Sequence, residues 1–219
     1  LNSNGYITRW ENRPLPYGLA VPDPLDPSEF IRVNVPGMDA IHMGIETDFA
    51  VILHKKISFE GMISIGDWRW ASKEDIVIYS DIISFDARGV HVGDAAQSTF
   101  AASLRYAFVK NGYLKLKYTF FDRYYSDFNP NSLSGETSGK DSWQIPSYGL
   151  MSIHAGYTVR FEKSQLRFKA NIFNALNSLY ISDARNNYHL DGSSDFDANS
   201  ATVFIGQGLR FNVSIGFQF

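Results

Sequence analysis

The last eleven residues, Leu209-Arg-Phe-Asn-Val-Ser-Ile-Gly-Phe-Gln-Phe219, decide how the rest of the chain is read. Leu209, Phe211, Val213, Ile215, Phe217 and Phe219 take every second position, and Arg210, Asn212, Ser214, Gly216 and Gln218 take the others. Successive side chains of an extended strand point to opposite faces, so the stretch predicts a β-strand with one apolar and one polar face. A soluble sheet gives the same alternation. An apolar row that runs to the final aromatic residue is less usual there, because chain ends in water fray unless something holds them.

The same period of two recurs upstream. Met151, Ile153, Ala155, Tyr157, Val159 and Phe161 alternate with Ser152, His154, Gly156, Thr158 and Arg160, and Leu166, Phe168, Ala170 and Ile172 alternate with Arg167, Lys169 and Asn171. Phe100 to Phe108, Leu114 to Phe120, Ile41 to Leu53 and Ile57 to Ile65 read alike, and a shorter candidate covers Tyr6 to Trp10. The connections alternate in length. His54-Lys55-Lys56, Lys110-Asn111-Gly112 and Glu162-Lys163-Ser164 are tight turns, whereas residues 12–36, 71–93, 126–146 and 178–201 are long polar stretches. Such long connections are uncommon in compact soluble domains, and short turns at one end with long loops at the other are the asymmetry of a membrane barrel. The expectation is all-β: a transmembrane antiparallel up-and-down β-barrel wall of about eight strands, its last strand running down to the periplasmic side.

Charge and aromatics fit that orientation. Apart from Asp39, Glu46, Asp48, Glu60 and Glu162, the acidic residues fall in the long connections or the strand ends beside them. Near the short turns, Arg105, Lys115, Lys117, Arg160, Arg167 and Lys169 are expected on the lumen face as a cationic band. It either lines water or pairs with carboxylates of a domain filling the pore. Tyr106, Phe108, Tyr113, Phe161, Phe217 and Phe219 are expected as a lower interfacial belt, and Trp68, Trp70, Tyr124, Tyr125, Tyr148 and Tyr180 as an upper one. Aromatic packing within an ordinary sheet is the bland alternative.

Composition sets the classes aside. The chain of 219 residues carries a net charge of −3, which offers a polyanion no global attraction, so nucleic acid is not an expected partner. Cysteine is absent, which removes disulfides, thiolate metal sites and a cysteine nucleophile. No apolar run is long enough for a membrane helix, but barrel strands average to neutral hydropathy and escape that test. His42, His54, His91, His154 and His189 are scattered, and no serine sits in a Gly-x-Ser-x-Gly elbow. No enzymatic activity is expected.

Asn34-Val-Pro-Gly-Met-Asp-Ala-Ile-His-Met-Gly-Ile-Glu46, Ser64-Ile-Gly-Asp-Trp-Arg-Trp70, Val90-His-Val-Gly-Asp-Ala-Ala-Gln97, Asp141-Ser-Trp-Gln-Ile-Pro-Ser-Tyr-Gly149 and Phe173-Asn-Ala-Leu-Asn-Ser-Leu-Tyr-Ile-Ser-Asp183 carry a resemblance. Together with the terminal aromatic strand they resemble the C-terminal region of TonB-dependent receptors. The resemblance implies a barrel of twenty-two strands in the family, of which residues 1–219 would be the C-terminal portion, with the plug domain absent from this chain. It implies the outer membrane of a Gram-negative bacterium, energised uptake through the TonB complex by way of the missing N-terminal region, and outer-membrane lipid around the wall. It further implies a plug domain against Arg105, Lys115, Lys117, Arg160, Arg167 and Lys169, and a terminal strand with Phe217 and Phe219 read by the barrel assembly machinery.

Ligand capture is expected of Trp68, Arg69, Trp70, His91, Asp94, Arg123, Trp143 and Arg185, because aromatic rings stack on ring-bearing ligands and guanidiniums grip anions bidentately. Anchoring at the outer interface is the plainer reading of Trp68 and Trp70. Siderophore, haem, cobalamin, glycan and peptide stay open as nutrients. In the last long connection, Asp191, Ser193, Asp195 and Asp197 alternate as oxygen ligands of calcium would, without the glycine and distant glutamate of an EF-hand loop. No other cofactor is expected. Two alternatives stand beside the transporter: a closed eight-stranded barrel with a structural or adhesive role, and a soluble carbohydrate-binding sandwich.

Overall fold

The computed structural model describes residues 1–13, 19–23, 25–33, 38–78, 81–128, 133, 135–186 and 197–219. Its strands in chain order are β1 (Asn2–Arg13), β2 (Leu19–Pro22), β3 (Phe30–Val33), β4 (Met38–His54), β5 (Ile57–Trp70), β6 (Lys73–Ile78), β7 (Asp81–Asp86), β8 (Ala96–Val109), β9 (Gly112–Tyr125), β10 (Asp127–Phe128), β11 (Gln144–Ile145), β12 (Tyr148–Arg160), β13 (Gln165–Phe173), β14 (Ile181–Asn186), β15 (Thr202–Ile205) and β16 (Arg210–Gln218). One antiparallel sheet runs β1-β4-β5-β8-β9-β12-β13-β16, with β11 continuing the pairing of β9. Each of the eight long strands expected from the sequence is present, and each lies beside its neighbour in the expected up-and-down order.

Register carries the alternation from strand to strand. Val51, Phe59, Leu104, Leu116, Ile153, Ile172 and Phe211 form one cross-strand row. One residue along, Ser58, Arg105, Lys115, His154, Asn171 and Asn212 form the next, on the opposite face. A shift of one residue in any pairing would mix the two rows, so the pattern itself pins the register. Within the polar row the His154 ring nitrogen Nδ1 lies 2.8 Å from Asn171 Oδ1, and Asn171 Nδ2 donates to Asn212 Oδ1 at 2.7 Å.

The short turns form where expected. Asn111 adopts φ 68°, which a β-branched residue would resist, and Gly112 follows it beneath Val109 and Tyr157.

The long stretches are not plain loops, and this corrects the sequence reading. β2 pairs with β3, β6 pairs with β7, and β10, β14 and β15 make a small sheet in which β10 and β14 are parallel. These connections hold the buried core. Met38, Ala40 and Trp70 from the wall are covered by Ala87, Val90, Val92, Phe128 and Leu133. A second cluster joins Tyr124, Ile145 and Ala184, with Ala96, Trp143, Tyr148 and Ile181 against it. The apolar face of the wall, by contrast, lies bare. Ile45 is 64 % exposed, Ile63 42 %, Leu104 41 % and Tyr118 45 %, although all four stand on strands flanked on both sides.

The aromatic belts need correction too. Phe161, Phe217 and Phe219 are exposed, the last two at the end of β16, where every residue from Arg210 to Gln218 is exposed. Tyr113 is not part of the lower belt, since its register partner Gly156 and the Arg105 guanidinium 4.5 Å over its ring put it on the polar face. Of the upper set, Trp70, Tyr124 and Tyr125 are buried under the connections. Trp68 and Trp70 share the parity of Ser64 and Glu60, not of Ile63 and Ile65, so they do not anchor the apolar face.

Candidate functional site

The polar face is where functional groups collect. At its upper end, β1, β4 and β5 contribute an aromatic stack: Trp68 lies flat on His42 with centroids 5.3 Å apart, and Trp10 tilts against His42 at 6.2 Å. Trp68 Nε1 donates to the Tyr6 hydroxyl at 2.9 Å. Gly44 and Gly66 face each other across β4 and β5 and leave the depression that Tyr6 and Trp68 fill. Arg13, brought round by a bulge at Asn12 (φ 55°), lies 5.5 Å over the Trp70 ring. A second stack runs Phe121–Tyr148–Tyr180, with spacings of 4.9 and 4.5 Å.

The lower end is cationic. Arg105 and Lys115 are register partners, Lys117 faces Ser103, and on the far side of His154 lie Lys169, Arg167 and Arg160. The six residues expected as a band therefore do share one face. Lys115 Nζ lies 2.7 Å from Glu60, which also accepts from Ser103 at 3.0 Å. Arg167 donates to Gln218 at 2.7 Å. A groove of about 360 Å³ opens between Asp48, Glu60, Ser103, Lys115 and Lys117, and one of about 280 Å³ between Arg105, Tyr113, Arg160, Arg167 and Lys169.

The eight residues expected to capture ligand do not converge on one pocket. Arg69 points away from Trp68, pairs with Asp67 at 2.9 Å and donates to the Gly89 carbonyl at 2.8 Å. His91 stacks on Tyr125 at 4.0 Å, and Asp141 holds both its backbone N–H and Nδ1 at 2.8 Å. Arg123, at φ 51°, donates to the Gly66 carbonyl at 2.9 Å and stands 3.7 Å from Asp67. These three tie the connections to the rim of the wall. Trp70 and Trp143 belong to the buried clusters. Asp94 and Arg185 meet around Asp127, a third group. Trp68 alone of the eight stands in the stack on the polar face. Tyr6, Trp10, Arg13 and His42 complete that end and were missed, although the parity of Trp10 with Tyr6 was legible.

Of the calcium candidates, Asp191 and Asp195 lie outside the described residues. Asp197 caps the short 3-10 turn Ala198–Ser200, accepting from the backbone N–H of Asn199 at 2.7 Å and of Ser200 at 3.3 Å. Among the described residues no three acidic or histidine side chains are grouped to hold a metal ion. Phe217 and Phe219 lie at the lower end of β16, with ring centroids 6.0 Å apart.

No family model and no curated protein matches the chain. Among solved structures, the siderophore receptor PiuA from Acinetobacter baumannii is similar, with a TM-score of 0.57 and 13 % identity over 98 % of this chain. The match takes in 25 % of that receptor's own length. At this identity the likeness speaks for the fold: an antiparallel sheet built like a quarter of a receptor.

Proposed function

We propose that this chain is the C-terminal part of a TonB-dependent receptor barrel in the outer membrane of a Gram-negative bacterium, serving energised uptake of a scarce nutrient. The observation that carries the reading is the bare apolar face. An aliphatic and aromatic row crossing seven strands, left uncovered, suits hydrocarbon, and a soluble sandwich would have placed a second sheet over it. The polar face is then the lumen wall. Its upper aromatic stack and Arg13 meet the nutrient, and its cationic band meets carboxylates of a plug. Both β1 and β16 have one free edge among the described residues, which favours further strands of a larger, twenty-two-stranded barrel over closure of these eight.

Face assignment is tested by a neighbouring pair. Ile153→Arg should cost about 2–4 kcal/mol near the bilayer midplane, whereas Ser152→Arg, facing water, should cost well under half of that. Folding into phospholipid vesicles measured against urea reads both, and equal effects would sink the assignment. In the complete receptor, Lys117→Glu combined with Lys169→Glu should loosen the plug and admit a large antibiotic that the intact outer membrane excludes.

A further inference from the structure

The three long connections that follow β5, β9 and β13 meet at one buried carboxyl group. Asp127 is 3 % exposed. It lies on β10, where it is the register partner of Arg185 on the parallel strand β14. From the third side comes the turn at Gly93 and Asp94. A Cβ at Gly93 would stand 3.0 Å from the Asp127 nitrogen and from the carbonyl group of Ser126, and Asp94 takes a left-handed φ of 67°. Tyr124 fastens the same joint by donating to the Ser182 carbonyl at 3.0 Å.

The charged groups whose fields reach Asp127 are Asp94 from the turn, and Asp183 and its register partner Arg185 from β14. Asp94 in turn faces Asp183, Arg13 from the end of β1, and Arg185. Burial first, then the Asp94 carboxylate, push the Asp127 carboxyl up to about 7, against the opposite pull of the Phe128 N–H and Arg185. Partial burial first, then Asp183, raise Asp94 as well. Asp127 is the buried member of the three, Asp183 being half-buried and Asp94 exposed, so ionising Asp127 carries the desolvation cost and adds a negative charge beside the other two.

We propose that this joint is a proton-operated latch. With Asp127 protonated, the Asp94 turn, β10 and β14 close on one another; when the proton leaves to solvent, repulsion and hydration of the new carboxylate part them, loosening the cover over Met38, Ala40 and Trp70. The latch is independent of the uptake reading, since it rests on no ligand and not on what covers the apolar face.

The test is amide hydrogen exchange of the complete receptor in detergent micelles between about pH 5 and about pH 8.5, corrected for the intrinsic rate at each pH. Peptides covering Asp127–Phe128 and Ala184–Asn186 should lose protection at least about tenfold across neutral pH, while the β4–β5 ladder stays constant. Asp127→Asn should keep the joint protected throughout. Asp94→Asn should move the loss to lower pH, because one raising influence is gone. Flat protection in the unaltered protein, a pH-dependent loss retained in Asp127→Asn, or an Asp94→Asn profile superimposable on the unaltered one would each overturn the proposal.

Discussion

At Gly44 the absence of a side chain is what lets two aromatic residues meet. A Cβ there would stand 2.7 Å from the Ile65 carbonyl oxygen and 2.6 Å from the Tyr6 hydroxyl. The ring could swing aside, but the carbonyl belongs to the ladder and cannot. Gly44→Ala should therefore destabilise the wall by about 1–3 kcal/mol as an overpacked site, despite alanine's lower backbone entropy cost. Gly5→Ala is the control, because its Cβ would come no nearer than 4.0 Å to the Gly44 carbonyl oxygen. Urea midpoints of both variants in vesicles decide the point, and similar shifts would remove the crowding account. A single chain could not announce this role, since Gly44 and Gly66 are separated in sequence and only their pairing reveals the shared depression.

Between elements, the most telling contact is a side chain standing in for a strand. The pairing of β5 with β8 ends at Ile65 and Ser98. Above it the Gln97 amide takes over, accepting from the Trp68 N–H at 3.0 Å and donating to the Trp68 carbonyl at 3.0 Å, with Gln97 only 1 % exposed. Gln97→Ala should strand the buried Trp68 N–H at about 1–3 kcal/mol, the Trp68 carbonyl still accepting from the Val92 N–H at 2.9 Å, while Gln97→Glu keeps the acceptor and should recover part of the loss only at a pH where its buried carboxyl is protonated. Thermal melts followed by tryptophan fluorescence would rank the three proteins; an alanine variant as stable as the original would contradict the ladder. The eight wall strands were legible because alternation is local: Leu209 to Phe219 reads as a strand without knowledge of its partner. The smaller elements were not. β10 is two residues long and exists because β14, far along the chain, lies beside it. The placement of Trp68 and Trp70 was readable from parity with Ser64, yet their bulk suggested an interfacial anchor, and burial beneath residues 87–92 overrode that reading.

Over the whole molecule, acidity acts on the upper part in two opposed directions. Hydrogen bonds from Arg88, chiefly its side chain, hold Asp86 down at about 2, so its contribution is present above the ordinary carboxylate range and is lost as pH falls toward 2. Asp127 is raised to about 7, so its contribution is full below the ordinary range and is lost as pH rises through 7. The upper part should be most stable near about pH 4 and weaken on both sides, which near-ultraviolet circular dichroism of Trp70 and Trp143 would follow. An optimum above neutral pH would contradict the Asp127 assignment, and stability that holds unchanged down to about pH 2 would contradict that of Asp86. The cationic band was visible in advance because each of its six residues alternates with apolar neighbours on its own regular strand, and register brings them to one face. Among the ligand candidates, Arg123 and Asp94 sit at positive φ, where alternation breaks and parity no longer predicts direction. The clusters around Met38 and Tyr124 carry one more consequence. They are dry because water has been squeezed out, whereas on the proposed membrane reading the row through Leu104 and Ile153 is covered by a fatty solvent supplied from outside. Cooling weakens the first kind of adhesion and leaves the second almost untouched, and a thinner bilayer does the reverse. The protein should thus come apart from its top in the cold and from its flank in short-chain lipid.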